Sequence, residues 1–421
     1  MRLLRLRHNK AKFLLCPCAV SRPSMDASAP PVVGWGRREW KRECRHRRAN
    51  PSPKAASAGV MTARRWGERE CEVRKPEPDF SRFLKVVRRE GEPDRVPFAE
   101  LFHDSEIMVA IQGPAPGDPE GDAAWRIRFW RDLGYDYVTV RTDISFPRGG
   151  HVSADTAPLS RGERGWVDEA KGAITSWDEF EQYPWPEVTP ASVRTLETYS
   201  RHVPDGMKVA AQLPGGPFEN LTFLMGFETF SYALADQPDL VRAIAERVGE
   251  TLVKAAELTC QMDVVGAQWL NDDLGFKGGT MASPEALRRY IFPYQRRIAE
   301  IAHRHGKPVL LHSCGKLDGI ADDLIDDVGI DAKHSFEHVI EPVWEAKRSW
   351  GQRVSLLGGV DMDVLARGSE EEVRRYTRRC IEECAPGGGW ALGSGNTVAN
   401  YVPVANFLAM LDEGWRAGSY R

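Results

Sequence analysis

A chain of 421 residues with 42% hydrophobic and 28% charged residues has the composition of a globular protein and room for one large domain. Its apolar runs are strand-sized and too short for a transmembrane helix, which excludes a helical membrane span. A formal net charge of −3 hides a basic N-terminal part and an acidic remainder, and the acidic remainder argues against nucleic acid as a ligand.

Residues 1–77 are rich in Arg, Lys, Pro, Ser and Ala without a sustained hydrophobic period, so they read as a disordered basic extension. On this reading the folded protein opens near Met61, and residues 78–421 form one catalytic domain. The eight cysteines are scattered without a disulfide spacing, which fits a reducing, cytoplasmic setting.

From Pro78 onward, short apolar runs alternate with longer amphipathic segments, the pattern of a parallel α/β protein. The expected strands are Val96 to His103, Tyr137 to Asp143, Lys208 to Pro214, Val264 to Asn271, Pro308 to Cys314, Asp331 to Phe336, Val354 to Asp361 and Trp390 to Asn396. Between them, Ser283 and Pro284 open a helix that Pro293 kinks or divides. Leu317, Ile320, Leu324, Ile325 and Val328 recur at helical spacing, and Ser369 with Glu372 forms a capping box before another helix. Eight strand and helix pairs predict a TIM (β/α)8 barrel. The absence of a G-x-G-x-x-G after the first strand disfavours a dinucleotide-binding sheet.

In such a barrel the C-terminal strand ends meet at one mouth, and here they are polar. They carry His103, Asp143, Gly216, Asn271, Asp272, Asp273, His312, Cys314, His334, Glu337, Asp361, Ser394 and Asn396. In KPVLLHSCG, residues 307–315, the two-residue strand period puts His312 and Cys314 on one face before Gly315 ends the strand. An imidazole beside a thiol is a metal-ligand pair or a nucleophile with its base. Asp143, Asp272, Asp273 and Asn396 are the expected catalytic or substrate-orienting groups. His103, Gly216, Phe218, Asn271, Asp361 and Ser394 are expected to line the substrate site.

The segments GGPFENLTFLMG (215–226), NDDLG (271–275), KPVLLHSCG (307–315), VSLLGGVDMDVL (354–365) and GSGNTVANYVPVANF (393–407) together resemble the uroporphyrinogen decarboxylase superfamily. The resemblance runs from about Pro78 to Arg421 and covers two branches. In the branch that moves methyl groups between corrinoid proteins and thiols, an H-x-C pair and a second Cys bind zinc. His312 and Cys314 match the pair, while Ser394 stands where the second Cys belongs. The resemblance therefore implies a zinc site completed by another residue, with Asp272, Asp273, His334 or Glu337 as the third ligand. It also implies a small-molecule substrate and a corrinoid protein as partner.

In the decarboxylase branch, two arginines of an R-Q-x-G-R motif and an Asp after the second strand hold a carboxylated tetrapyrrole, without a metal. Asp143 matches that Asp. The arginine motif is replaced by ELFHDSEIM, the family's Tyr by Phe223 and its His by Ser394. The leading expectation is metal-assisted methyl transfer. The alternatives are decarboxylation and a non-catalytic barrel that binds a corrinoid or another ligand.

Overall fold

Aliphatic and β-branched runs such as YVTVR and VLLH are buried along nearly their whole length, as parallel strands covered by helices must be. In the computed structural model, which describes residues 77–167 and 172–420, these runs form a curled, all-parallel sheet. In chain order the strands are β1 (Tyr137–Arg141), a hairpin of β2 (Gly150–Ala154) and β3 (Glu163–Val167), β4 (Lys208–Gln212) and β5 (Val265–Asn271). A small hairpin of β6 (Gly275–Phe276) and β7 (Gly279–Thr280) follows, then β8 (Val309–His312), β9 (Ala332–His334), β10 (Ser355–Leu357) and β11 (Trp390–Ala391). The main sheet runs β1-β4-β5-β8-β9-β10-β11.

The expected first strand is the exception. Residues 96–103 do not form a continuous strand, because Pro97 has no N–H to give to a ladder. They meet the β11 edge through isolated parallel bridges, Phe98 with Leu392 and His103 with Val398. The opposite seam is closed by side chains. Tyr137 Oη accepts from Glu100 N at 2.9 Å and donates to Glu100 O at 2.8 Å, and Gln212 donates to Leu101 O at 2.7 Å. The fold is thus a TIM-type barrel with seven laddered strands and an eighth, partly laddered segment.

The predicted helix boundaries have local causes. Ser283 caps Pro284–Tyr290, and the chain restarts as Phe292–Arg304 with Pro293 in the first turn, so the proline divides the helix. The Ser369 and Glu372 capping box opens Glu370–Cys384. The segment after β8 departs from expectation. It stays helical from Asp318 to Val328 but changes type, from a 3-10 turn, Asp318–Ile320, through Ala321 and Asp322 into a wide π-type stretch, Asp323–Val328, with Leu324 and Val328 buried.

Between β3 and β4, the rings of Trp177, Phe180, Tyr183 and Trp185 pack edge-on against one another. Trp177 and Trp185 flank Phe180, and Tyr183 lies 4.6 Å from Trp185. Nothing among the described helices is long and apolar enough to cross a membrane. The expectation for residues 1–77 falls almost entirely outside the described residues.

Candidate metal centre at the barrel mouth

His312 ends β8, and its ring turns into the barrel, next to the ring of His334 on β9. The two residues are register partners on neighbouring parallel strands. Beyond His312 the chain turns at Gly315 (φ +81°), where a Cβ would fall 2.2 Å from the carbonyl carbon of Gly275. Asp273, just past β5, accepts from Cys314 N at 2.8 Å through Oδ1. The same oxygen lies 3.6 Å from His312 Nε2, and Cys314 Sγ lies 3.7 Å from that nitrogen. One carboxylate oxygen, one imidazole nitrogen and one sulfur therefore lie within 4.8 Å of one another.

This donor set fits a zinc ion. Three protein ligands of N, S and O type, leaving a fourth position open, are what a catalytic zinc site uses. Asn396 Nδ2 approaches the sulfur at 3.3 Å, and Ser335 Oγ lies 3.6 Å from it. Ser335 has φ +86°, a strained conformation for a residue with a Cβ, and such strain gathers at functional sites. Burial pushes His312 below the ordinary imidazole pKa, against the opposing effect of Asp273. Burial, then His312 and Lys333, hold His334 well below it. Both rings are therefore neutral at physiological pH, the form in which imidazole binds metal.

The other expected third ligands stand elsewhere. His334 directs Nδ1 to His312 Nδ1 at 2.8 Å, behind the donor cluster. Glu337 lines a cavity of about 170 Å³ beside the cluster, with Lys333, Ser335, Phe336 and Glu341. In that cavity burial lowers the Lys333 amine to about 8, and the amine donates to Ser335 O.

Several expected catalytic or substrate residues serve the scaffold. Asp272 accepts from Phe218 N at 3.2 Å, Glu219 N at 2.8 Å and Gln295 Nε2 at 2.7 Å, so it caps helix Pro217–Met225. Burial pushes its carboxyl up to about 7. Gly216 is required there because a Cβ would sit 2.1 Å from Asp272 Cγ, and Phe218 is buried against Phe230. Asp143 is exposed, and both of its oxygens accept from Thr195. Asp361 caps Met362–Arg367 and also accepts from His338 N. His103 is a core residue, ringed by Phe129, Trp130, Tyr135 and Phe407. Ser394 is fully buried and donates to Glu100 Oε2 at 2.6 Å. Asn271, at the end of β5, keeps a buried Oδ1 without a partner among the described residues, an acceptor available to a ligand.

Two acids escaped the sequence reading. Glu100, which precedes the end of the first expected strand, is fully buried. Glu219 follows GGPF, and burial together with Asp273 and Asp272 raises its carboxyl well above the usual range. The GGPFEN segment was visible in the sequence. That its acid faces Asp273 depends on how β4 and β5 are placed.

Geometry and chemistry together define a parallel α/β barrel with a mixed N/S/O donor cluster at its C-terminal mouth. The family described as uroporphyrinogen decarboxylase (URO-D) matches residues 118–414, well over half of the chain, and the protein belongs to that family. It is 26% identical over 279 residues to a uroporphyrinogen decarboxylase of Thioalkalivibrio sulfidiphilus, which spans 59% of this chain and 75% of that one. It is 24% identical over 343 residues to one of Anaeromyxobacter dehalogenans, spanning 76% and 89%. In fold it is similar to a methyltransferase from Methanosarcina mazei, with a TM-score of 0.60 at 17% identity over 81% of this chain and 99% of that one.

Proposed function

We propose that this protein is a metal-dependent methyltransferase of the URO-D superfamily, transferring a methyl group between a corrinoid protein and a small thiol. The observation that carries the reading is the convergence of Asp273, His312 and Cys314 within 4.8 Å. These three residues would hold a zinc ion, with Asn396 hydrogen-bonded to the sulfur. When bound, zinc supplies the Lewis acidity that turns a thiol into a thiolate near neutral pH. The chain's own groups do the rest: His334 braces His312, Asn396 stabilises negative charge on sulfur, and Asn271 offers an acceptor to the substrate. A corrinoid partner would supply the methyl group as a cation equivalent, and Asp273, His312 and Cys314 would hold the metal beside which the accepting thiolate sits. The fold of the Methanosarcina mazei methyltransferase is compatible with this reading.

A second reading is decarboxylation of a carboxylated ring compound, favoured by the names of the two relatives. Its key residue would be Asp143, whose oxygens are both engaged by Thr195. The deciding experiment measures thiol-dependent demethylation of methylcobalamin, beside turnover of uroporphyrinogen, by the zinc-supplemented full chain. Demethylation lost in Cys314→Ala supports methyl transfer. Uroporphyrinogen turnover without demethylation overturns it.

A further inference from the structure

We infer that His334 is a positioning residue that sets the tautomer of His312 by accepting a hydrogen bond from its Nδ1–H. The inference rests on the reading of His312 as a metal ligand. The Nδ1 atoms of the two rings are 2.8 Å apart, and both side chains are buried. Two neutral imidazoles that meet nitrogen to nitrogen can place only one proton between them.

That single proton has two possible homes, with different consequences at the mouth. If His334 Nδ1 carries it, His312 must carry its own proton on Nε2, the atom that faces Asp273 and Cys314. A protonated Nε2 cannot bind a metal. If His312 Nδ1 carries it, Nε2 presents a lone pair to the carboxylate and the sulfur, and His334 carries its proton on Nε2. Only the second arrangement completes a three-donor site, and a ligating histidine is commonly oriented by an acceptor at its other nitrogen.

The surroundings of His334 suit a bracing role better than a ligand role. Its ring packs edge-on against Trp269, with centroids 5.6 Å apart and planes at 83°. Its far nitrogen has no hydrogen-bond partner among the described residues. On that side the chain passes at Gly358 (φ +83°), where a Cβ would sit 3.3 Å from His334 Nε2 and 2.2 Å from Ser394 O. The ring is held between a tryptophan and a glycine that no larger residue replaces without a clash, so it cannot swing toward the cluster. The parallel register of β8 and β9 then delivers its Nδ1 to His312.

The test uses the full chain labelled with [15N]histidine, with and without zinc. Long-range proton–nitrogen spectra of the zinc-loaded protein are expected to show His312 protonated at Nδ1, and His334 bare at Nδ1 and protonated at Nε2. In parallel, chelator competition reads zinc affinity. His334→Phe, which cannot accept, is expected to weaken binding by about 10- to 100-fold. His334→Asn, whose Oδ1 can accept, restores most of it. Zinc affinity unchanged in His334→Phe, or His312 bare at Nδ1 in the loaded protein, overturns the inference. A wild-type chain that takes up no zinc sinks the metal reading alone. The metal-free spectrum then decides: the shared proton on His312 Nδ1 supports the inference, and its place on His334 Nδ1, or its absence, overturns it. Because these spectra are read on wild type, a His334→Phe variant that fails to fold leaves the decision intact.

Discussion

Ser394 Oγ donates to Glu100 Oε2 at 2.6 Å, and the Ser394 backbone N–H donates to Oε1 of the same carboxyl, also at 2.6 Å. The residue that the sequence resemblance sets in the place of a sulfur ligand is thereby committed to a buried acid. Ser394→Cys is expected to leave the zinc content unchanged. It should lower the stability measured by urea unfolding by about 1–3 kcal/mol, because a thiol is a poor replacement donor to a buried carboxyl. A gain in zinc affinity in Ser394→Cys would show that the position can still face the site.

Glu100 also predicts a pH dependence. Burial, opposed by the Ser394 hydrogen bonds, raises its carboxyl from the ordinary value to about 8. The folded state therefore keeps a proton that the unfolded state has lost between about pH 4.5 and 8. Its contribution to stability is complete below the unfolded pKa, falls by at most about 1.4 kcal/mol for each pH unit, and is gone above about pH 8. Asp272, raised to about 7, acts with the same sign over a lower window. Glu100→Gln should flatten the wild-type decline between pH 5 and 8 without abolishing it. Parallel unfolding curves at pH 5, 6.5 and 8 measure the difference.

For the metal centre, wild-type protein is expected to carry about one zinc per chain after supplementation. His312→Ala and Cys314→Ala should each lose it. Asp273→Asn should bind more weakly, since a neutral amide oxygen replaces a carboxylate. Elemental analysis after gel filtration reads all four proteins. Equal zinc in wild type and in both alanine variants would place the metal elsewhere.

Asp272 is expected to behave as a structural residue. In Asp272→Asn, one oxygen that accepts from Phe218 N, Glu219 N or Gln295 becomes an NH2 facing donors, at a cost of about 1–3 kcal/mol. Thermal unfolding should report the loss while zinc binding persists. Loss of zinc with unchanged stability would return Asp272 to the site.

The sequence by itself determined the barrel, because apolar runs at a strand period and capped amphipathic helices are local signals. Seven of the eight expected strands became ladder strands close to their predicted places, and the eighth was interrupted by a proline that could be read directly. The strand period also predicted that His312 and Cys314 share a face, and they do meet at the mouth, although β8 ends at His312 and Cys314 lies in the loop beyond it. Tertiary structure alone decided the company they keep. Asp272 and Asp273 are adjacent in the chain, yet one caps a helix and the other meets the sulfur and the imidazole, a division set by the turn after β5. His103 and Ser394 looked like mouth residues at strand ends. One is ringed by aromatic side chains and the other is bonded to an acid nearly three hundred residues away, for contacts across a barrel depend on the register of its strands and the packing of its helices, which the local pattern does not encode.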